Sequence, residues 1–433
     1  MCNIKALIIS MLKVGIIGFG GGNALIPVIE QETVTEKQMI TKEEYDKDVI
    51  AATLTPGALP VEIASGIGLQ SNGVKGMLAA GTAMALPGAF VTVLFLSVLL
   101  LLNEGILTQI QYASIGITSF IMCLLTQYIL STLQECKKPL DKVLAFSVIT
   151  VVFFLTGMAS LLGILHIDII NIPKLSTIHI LLLTLLVSIA VGLTRKNTDI
   201  KNRKINNISL RILSQRLAIW FLFLMLLSLP AIVMVGNKAI PFEIHGLLSS
   251  VLSFGGGDAY LTIADGLFVP DYISEYDFYN NIVLIVNVLP GSILCKTLSG
   301  IGYVYGHAVT NSVLGGILMS IAGFACSVAA SCSIFYIIYH LYDKLEHIYV
   351  FYIIRKTIRI VVSGLLITVM VNLIKAGMNI NHNEALPVFL MPALIVVLYL
   401  FNMFVYHKFR CKNIVLIVCS LGLSVIICNV IRV

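Results

Sequence analysis

Apolar residues run along this chain in long blocks, such as "GAFVTVLFLSVLLLL" and "IHILLLTLLVSIAVGL", parted by short polar stretches. Blocks of about 20 apolar residues match the length of a helix that crosses a bilayer. The short alternating strands of an outer-membrane barrel are missing from the pattern. It therefore predicts an all-α polytopic membrane protein. The first half carries spans at roughly 4–30, 43–70, 74–102, 107–134, 140–165 and 176–194. One further span, about 217–236, holds the only tryptophan, Trp220. The second half carries roughly 239–265, 277–305, 308–341, 346–373, 386–407 and 413–431, which makes thirteen spans. The N-terminal run imitates a signal peptide. Lys13 interrupts it and no clear small-residue cleavage site follows, so a retained first helix is expected.

Two of these spans are interrupted in the same way. "GIIGFGGGNALIP" places Gly20, Gly21 and Gly22 before Asn23, and "SVLSFGGGDAYLT" places Gly255, Gly256 and Gly257 before Asp258. Each glycine costs a helix roughly 1 kcal/mol against alanine, so neither cluster suits a continuous helix. Downstream, "TPGALPVEIASGIG" holds Thr55, Pro56 and Gly57, and "LPGSILCKTLSGIG" holds Pro290 and Gly291. Proline removes a backbone donor and clashes with the preceding turn, and glycine then allows a sharp turn. Ser65-Gly66-Ile67-Gly68 matches Ser299-Gly300-Ile301-Gly302 without a gap, and Tyr45 stands opposite Tyr279. "PGAF" at 87–90 faces "IAGF" at 321–324, so the order of landmarks holds over about ninety residues. The chain reads as two repeats.

Loop charge orients them. "ECKKPLDK" and the 195–216 loop are basic and an even number of spans apart, which puts both, and the N-terminus, in the cytoplasm. The single extra span then inverts the second repeat, and "RKTIR" and "HKFRCK" come out cytoplasmic as well. The acidic "GLFVPDYISEYD" loop gives no support to this count. The expected organisation is an N-terminal repeat over 1–194, a basic cytoplasmic linker over 195–216, a connecting transmembrane helix over 217–236 and an inverted repeat over 237–433. Inverted repeats with interrupted helices are the signature of secondary transporters, whose sites lie near the midplane.

The candidate chemistry follows from the breaks. Backbone groups freed in hydrocarbon need protein, water or a ligand as partners. Free N–H groups at a half-helix N-terminus attract anions, and a glycine turn forms an anion-binding nest. One cluster alone is more simply close helix packing, since Gly18 and Gly22 have GxxxG spacing. Two matched clusters favour a binding role. Glu62 and Lys296 occupy the same repeat position, six residues after each proline. A charge at the bilayer centre costs about 2.5–3.5 kcal/mol on insertion scales and faces a partner or a cavity. The bland reading is a direct Glu62–Lys296 pair. The functional one gives Lys296 to an anionic substrate and a coupling proton to Glu62, because burial favours a neutral carboxyl. Ser65 and Ser299 lie one turn on and offer hydroxyls to oxyanion oxygens. Asn23 and Asp258 read first as helix caps, with Asp258 a second protonation candidate. Lys13 is expected to snorkel to an interface, and Glu30 and Asp265 to mark helix ends in water.

Composition narrows the alternatives. Of 433 residues 58% are hydrophobic and 12% charged, well below the roughly 25% charged of soluble domains. The net charge of +6 gathers in loops and does not indicate nucleic acid. Nine scattered cysteines show no CxxC spacing, and the eight histidines form no ligand cluster, so no metal site or cofactor is expected. There is no nucleophile elbow, P-loop or dinucleotide fingerprint, so an enzyme is not expected.

"FGGGNALIPVIEQE", "ITKEEYDKDVIAATLTPG" and "GVKGMLAAGTAMALPGAF", with their weaker second-half copies, resemble the chromate ion transporter (CHR) family in its two-domain form. The resemblance covers about 12–102 and 243–330. The family pattern commonly reads FGGP and PGP; here Gly22, Gly257, Ala58 and Ser292 stand at those positions, and Met39-Ile40 replace a typical tryptophan. The resemblance implies an inorganic oxyanion carrier of the bacterial plasma membrane, exporting chromate, with near-isosteric sulfate as the alternative. The residues by themselves indicate an anion, and leave an anion channel and a homodimer open.

Overall fold

The computed structural model of the chain describes residues 3–17, 25–99, 104–136, 138–165, 175, 177–194, 210–253, 257–345, 349–378, 389–409 and 413–431. The expected site residues Gly20, Gly21, Gly22, Asn23, Gly255 and Gly256 lie outside these, as does most of the 195–216 linker. Helices follow one another throughout, and no strand occurs among the described residues. They are α1 Ile4–Ile17, α2 Ile26–Glu30 running into a π turn Gln31–Glu36, α3 Lys42–Leu54, α4 Leu59–Leu99 and α5 Glu104–Glu135. Next come α6 Pro139–Thr156, α7 Met158–Ile164, α8 Thr177–Thr194, α9 Leu210–Val235, α10 Ala239–Leu252 and α11 Gly257–Phe268. The rest are α12 Glu275–Asp277 with a π turn Phe278–Ile282, α13 Val283–Val288, α14 Ile293–Thr310, α15 Val313–Leu345, α16 Tyr349–Met378, α17 Leu390–Phe409 and α18 Asn413–Ile431.

Seven stretches among the described residues are long and apolar enough to cross a membrane: Leu59–Val98, Thr108–Glu135, Pro139–Thr156, Leu210–Leu252, Val313–Leu341, Lys356–Lys375 and Leu390–Lys408. The chain is an all-α polytopic membrane protein. Among the described residues several of the thirteen expected spans are broken, shortened or run together.

α4 shows why. Asn72 (φ −137°) and Gly73 (φ +63°) leave helical geometry, and the chain turns back there. Residues eight apart in a straight helix are about 12 Å apart. Here a methyl on Gly68 would lie 2.1 Å from the Gly76 carbonyl oxygen. α4 is thus a hairpin with arms 59–71 and 74–99, and the bare glycines let the arms touch. α14 and α15 repeat the device around Asn311 (φ +50°), with Gly306 against the Gly315 carbonyl and Gly302 against that of Met319.

The segments that flank the glycine clusters also run back on themselves. Ser10 Oγ on α1 donates to Glu32 Oε1 at 2.9 Å, and Lys13 pairs with Glu32. In the second half Ser249 Oγ and Tyr260 Oη are 3.0 Å apart, and the Phe242 and Phe268 rings stand 5.5 Å apart. The arms of each pair therefore face each other, where single spans over 4–30 and 239–265 are expected from hydropathy. The half-exposed Lys13 ammonium is held by the buried Glu32 carboxylate. Glu30 pairs with Lys42 at 2.7 Å.

The helices form two compact units, each drawing on both halves of the chain. The first comprises residues 1–94, 181–268 and 289–358. In it α9 packs on α15, burying Trp220 completely against Gly81, and Arg216 stands over the Tyr336 ring at 5.4 Å. The helix expected to connect two repeats is thus part of this unit's core. The second unit comprises 95–180, 269–288 and 359–433. Several of its buried polar groups pair across helices, as buried amides and hydroxyls generally do. Asn402 Nδ2 donates to Ser119 Oγ at 3.0 Å, Ser420 Oγ donates to Asn402 Oδ1 at 2.6 Å, and Asn372 Nδ2 donates to Tyr279 Oη at 2.9 Å.

Candidate functional site

The chemistry gathers in the first unit, around its two proline-glycine turns. α3 closes on Thr55, whose N–H and Oγ1 both donate to the Ala51 carbonyl, at 3.1 and 2.8 Å. Pro56 has no N–H with which to continue the helix. Gly57 then adopts φ +141°, a conformation that side chains rarely allow, and α4 begins at Leu59. The second half does the same: α13 ends at Val288, Leu289-Pro290-Gly291-Ser292 make the turn with Gly291 at φ +96°, and α14 begins at Ile293. Residues 55–58 are buried throughout.

Each turn is seated on the other half's elements. The Gly57 N–H donates to the Ser253 carbonyl at the end of α10, at 3.0 Å, and the Ala58 N–H donates to Ser331 Oγ on α15, also at 3.0 Å. Conversely, the Pro290 carbonyl lies against Gly88 on the second arm of α4, where a methyl would stand 2.7 Å from its oxygen. A methyl on Gly291 would lie 3.4 Å from Gly88 Cα and 3.5 Å from the Gly15 carbonyl oxygen. Ser253 and Gly15 are on the helices that lead into the two glycine clusters. The donors freed at Gly57 and Ala58 are satisfied within the protein, as a buried break requires.

Glu62 and Lys296 occupy the first turns of the helices that leave these turns, with their N–H groups donating to Ala58 and Ser292 carbonyls at 3.1 Å each. Both side chains are buried, at 0% and 1% exposure. They do not hydrogen-bond to each other: neither carboxylate oxygen of Glu62 has a hydrogen-bond partner. The carboxyl packs on the turn, so that a methyl on Gly57 would stand 2.3 Å from Oε1. A carboxyl buried without a partner in the protein is costly unless it takes up a proton or a moving partner. Lys296 Nζ donates to the Leu289 carbonyl, one of those left open where α13 stops. Its stem lies against Gly88, where a methyl would be 3.1 Å from Cγ and Cδ.

The remaining expected residues separate by partner. Ser65 Oγ is engaged by Tyr336 Oη at 2.9 Å and by the Met77 carbonyl at 3.3 Å. Ser299 is fully buried and its hydroxyl has no partner. Asp258 is the second residue of α11, after Gly257. No group of three or more potential metal ligands occurs among the described residues. Ser331, Ser253 and Gly88 were not singled out from the sequence, although Gly88 lies in the "PGAF" landmark. A contact between one half's turn and the other half's helix leaves no local pattern to read.

A family model described as "Chromate transporter" matches residues 5–240 and 244–425, nearly the whole chain. The chain is similar to a chromate transport protein of Cupriavidus metallidurans, 30% identical over 149 residues, which are 33% of this chain and 35% of that protein. A probable chromate transport protein of Synechococcus elongatus is 31% identical over 91 residues, 21% of this chain and 23% of that one. An uncharacterized transporter of Methanocaldococcus jannaschii is 34% identical over 93 residues, 22% and 23% of the two chains. The matches thus span about a quarter to a third of these relatives' lengths. No solved structure matches the chain.

Proposed function

The chain belongs to the chromate transporter family, and on that premise we propose that it is a secondary carrier of a small inorganic oxyanion. Chromate is the first candidate, as in the names of two relatives, and sulfate the second. Lys296 supplies positive charge to the anion, with the Ser299 hydroxyl one turn on as a further donor. The Lys296 ammonium also donates to the Leu289 carbonyl. The backbone of Gly20–Gly22 and Gly255–Gly257 and the turns at Pro56 and Pro290 line the path. Glu62 carries the coupling proton, Asp258 is a second candidate for that role, and export is the proposed direction. The two repeats are inverted, the N-terminus is cytoplasmic, and the protein is set in a bacterial plasma membrane.

One observation carries this reading. Glu62 and Lys296, at matching positions of two proline-glycine turns, are both buried in one compact unit, and Glu62 has no partner. A purely structural charge pair has no reason to leave the carboxylate unpaired. The test is uptake of labelled chromate and labelled sulfate into vesicles holding the purified protein. Saturable, proton-gradient-driven flux that is lost in Lys296→Met supports the carrier. Single-channel currents without saturation would establish a channel instead.

A further inference from the structure

A second fully buried carboxyl lies one helical turn from Glu62. Glu62, Gly66 and Gln70 share one face of the first arm of α4, at i, i+4 and i+8, about 6 Å per step. The side chain of Asp48, from α3, fills the space over Gly66: a methyl there would lie 2.6 Å from both Cγ and Oδ1 of Asp48. Asp48 is 0% exposed, its Oδ1 accepts from Gln70 Nε2 at 3.0 Å, and its Oδ2 has no partner. Three carboxylate oxygens without partners thus lie along a single stripe of this arm.

The groups beside the stripe carry exchangeable hydrogens. Ser65 Oγ meets Tyr336 Oη at 2.9 Å, and the Tyr336 hydroxyl also lies 2.9 Å from the Ser65 carbonyl, to which it can donate. Beyond Asp48, Gln70 is only half-buried, and the arm ends two residues later at the turn before exposed Gly73, Val74 and Lys75. The other charged or titratable groups facing Asp48 are Glu44 and Lys47 on its own helix and Tyr339 on α15, the latter also meeting Gln70 at 3.4 Å. Lys47 is turned to the Tyr339 ring, at 4.9 Å from its centroid. No cation neutralises Asp48 by a salt bridge among the described residues. A structural role for two bare carboxyls on one stripe is expensive, because each costs desolvation without a compensating bond.

We propose that Asp48 is the relay carboxylate through which Glu62 exchanges protons with water at the 72–75 end of the arm. This rests on Glu62 being the proton-coupling group. The step is a proton transfer alone: hydronium in the water at the turn gives its proton to the Asp48 carboxylate, and that proton passes along the stripe, beside the Ser65–Tyr336 hydroxyl pair, to the Glu62 carboxylate. No other bond changes and no electron moves.

The test uses the full chain in vesicles loaded with a pH-sensitive dye, with sulfate and chromate as the anions. Three quantities are read: proton movement per anion, accumulation driven by a pH gradient, and exchange of internal for external labelled anion. Asp48→Asn preserves the shape and removes the titrating group. Loss of proton movement and of driven accumulation is expected, with exchange persisting and with coupling restored by Asp48→Glu. Wild-type proton movement per anion in Asp48→Asn overturns the relay. So does a loss of all three readouts that Asp48→Glu does not restore and that comes with a lowered melting temperature, which would mark Asp48 as structural. If Glu62→Gln uncouples the protein and Asp48→Asn does not, only the relay fails. If Glu62→Gln stays coupled, the reading of Glu62 fails and the relay with it.

Discussion

The Gly57 amide donates to the Ser253 carbonyl at 3.0 Å, so the first half's proline-glycine turn is tied to the helix that leads into the second half's glycine cluster. That bond depends on φ +141° at Gly57, and the Glu62 carboxyl and Ser331 hydroxyl fill the space a side chain would take. Gly57→Ala is expected to cost about 1–3 kcal/mol, from overpacking and backbone strain together. Gly73→Ala, at φ +63° with nothing within 4 Å of the added methyl, is expected to cost less. Thermal unfolding of the two variants in detergent, followed by circular dichroism, checks the order.

Lys296 is tied to its own turn through the Leu289 carbonyl. Lys296→Met keeps the length of the stem against Gly88 and removes the ammonium. The abandoned buried carbonyl is expected to cost about 1–3 kcal/mol, and anion uptake is expected to vanish while folded protein is still recovered. Size-exclusion profiles beside uptake measurements separate the two effects.

The α4 hairpin depends on bare backbone where its arms meet. Gly68→Ala places a methyl 2.1 Å from the Gly76 carbonyl oxygen, backbone that has no room to move. It is expected to abolish stable expression or lower the melting temperature steeply. Gly422→Ala, within α18 and with nothing within 4 Å, is the opposite case. It is expected to stabilise by roughly 0.5–1 kcal/mol through helix propensity. Melting temperatures of both variants read the contrast directly.

Thr41 opens α3, the helix that bears Asp48, with a reciprocal cap. The Thr41 N–H donates to Glu44 Oε2 at 2.8 Å and the Glu44 N–H donates to Thr41 Oγ1 at 3.3 Å. Thr41→Ala is expected to cost about 1 kcal/mol, visible as faster hydrogen exchange across 42–48.

Sequence pattern marked the places where the chain leaves a helix. Pro56-Gly57 and Pro290-Gly291 are turns with positive φ, and the boundary expected between 70 and 74 is the Asn72-Gly73 turn of α4. It also marked Glu62 and Lys296, because a charge within an apolar run has few bland explanations. What fills each break was not legible. Ser331, Ser253 and Gly88 meet the turns from segments far along the chain, and such contacts impose no periodicity. The fold-back of α1 on α2 was hidden for a related reason: Lys13 looks like a charge bound for an interface until the chain reverses and pairs it with Glu32. Asp48 stands in the charged run "KEEYDKD", where an acid reads as solvated, and only Gly66 beneath it shows it to be buried.

The central claim is that Lys296 and Glu62 divide the work of one transport site. The most direct test is labelled-chromate and labelled-sulfate flux into vesicles under an imposed pH gradient, comparing the wild type with Lys296→Met and Glu62→Gln. The account predicts saturable, gradient-driven flux in the wild type, no flux of either kind in Lys296→Met, and anion exchange without proton coupling in Glu62→Gln. Gradient-driven flux that survives unchanged in both variants would contradict it.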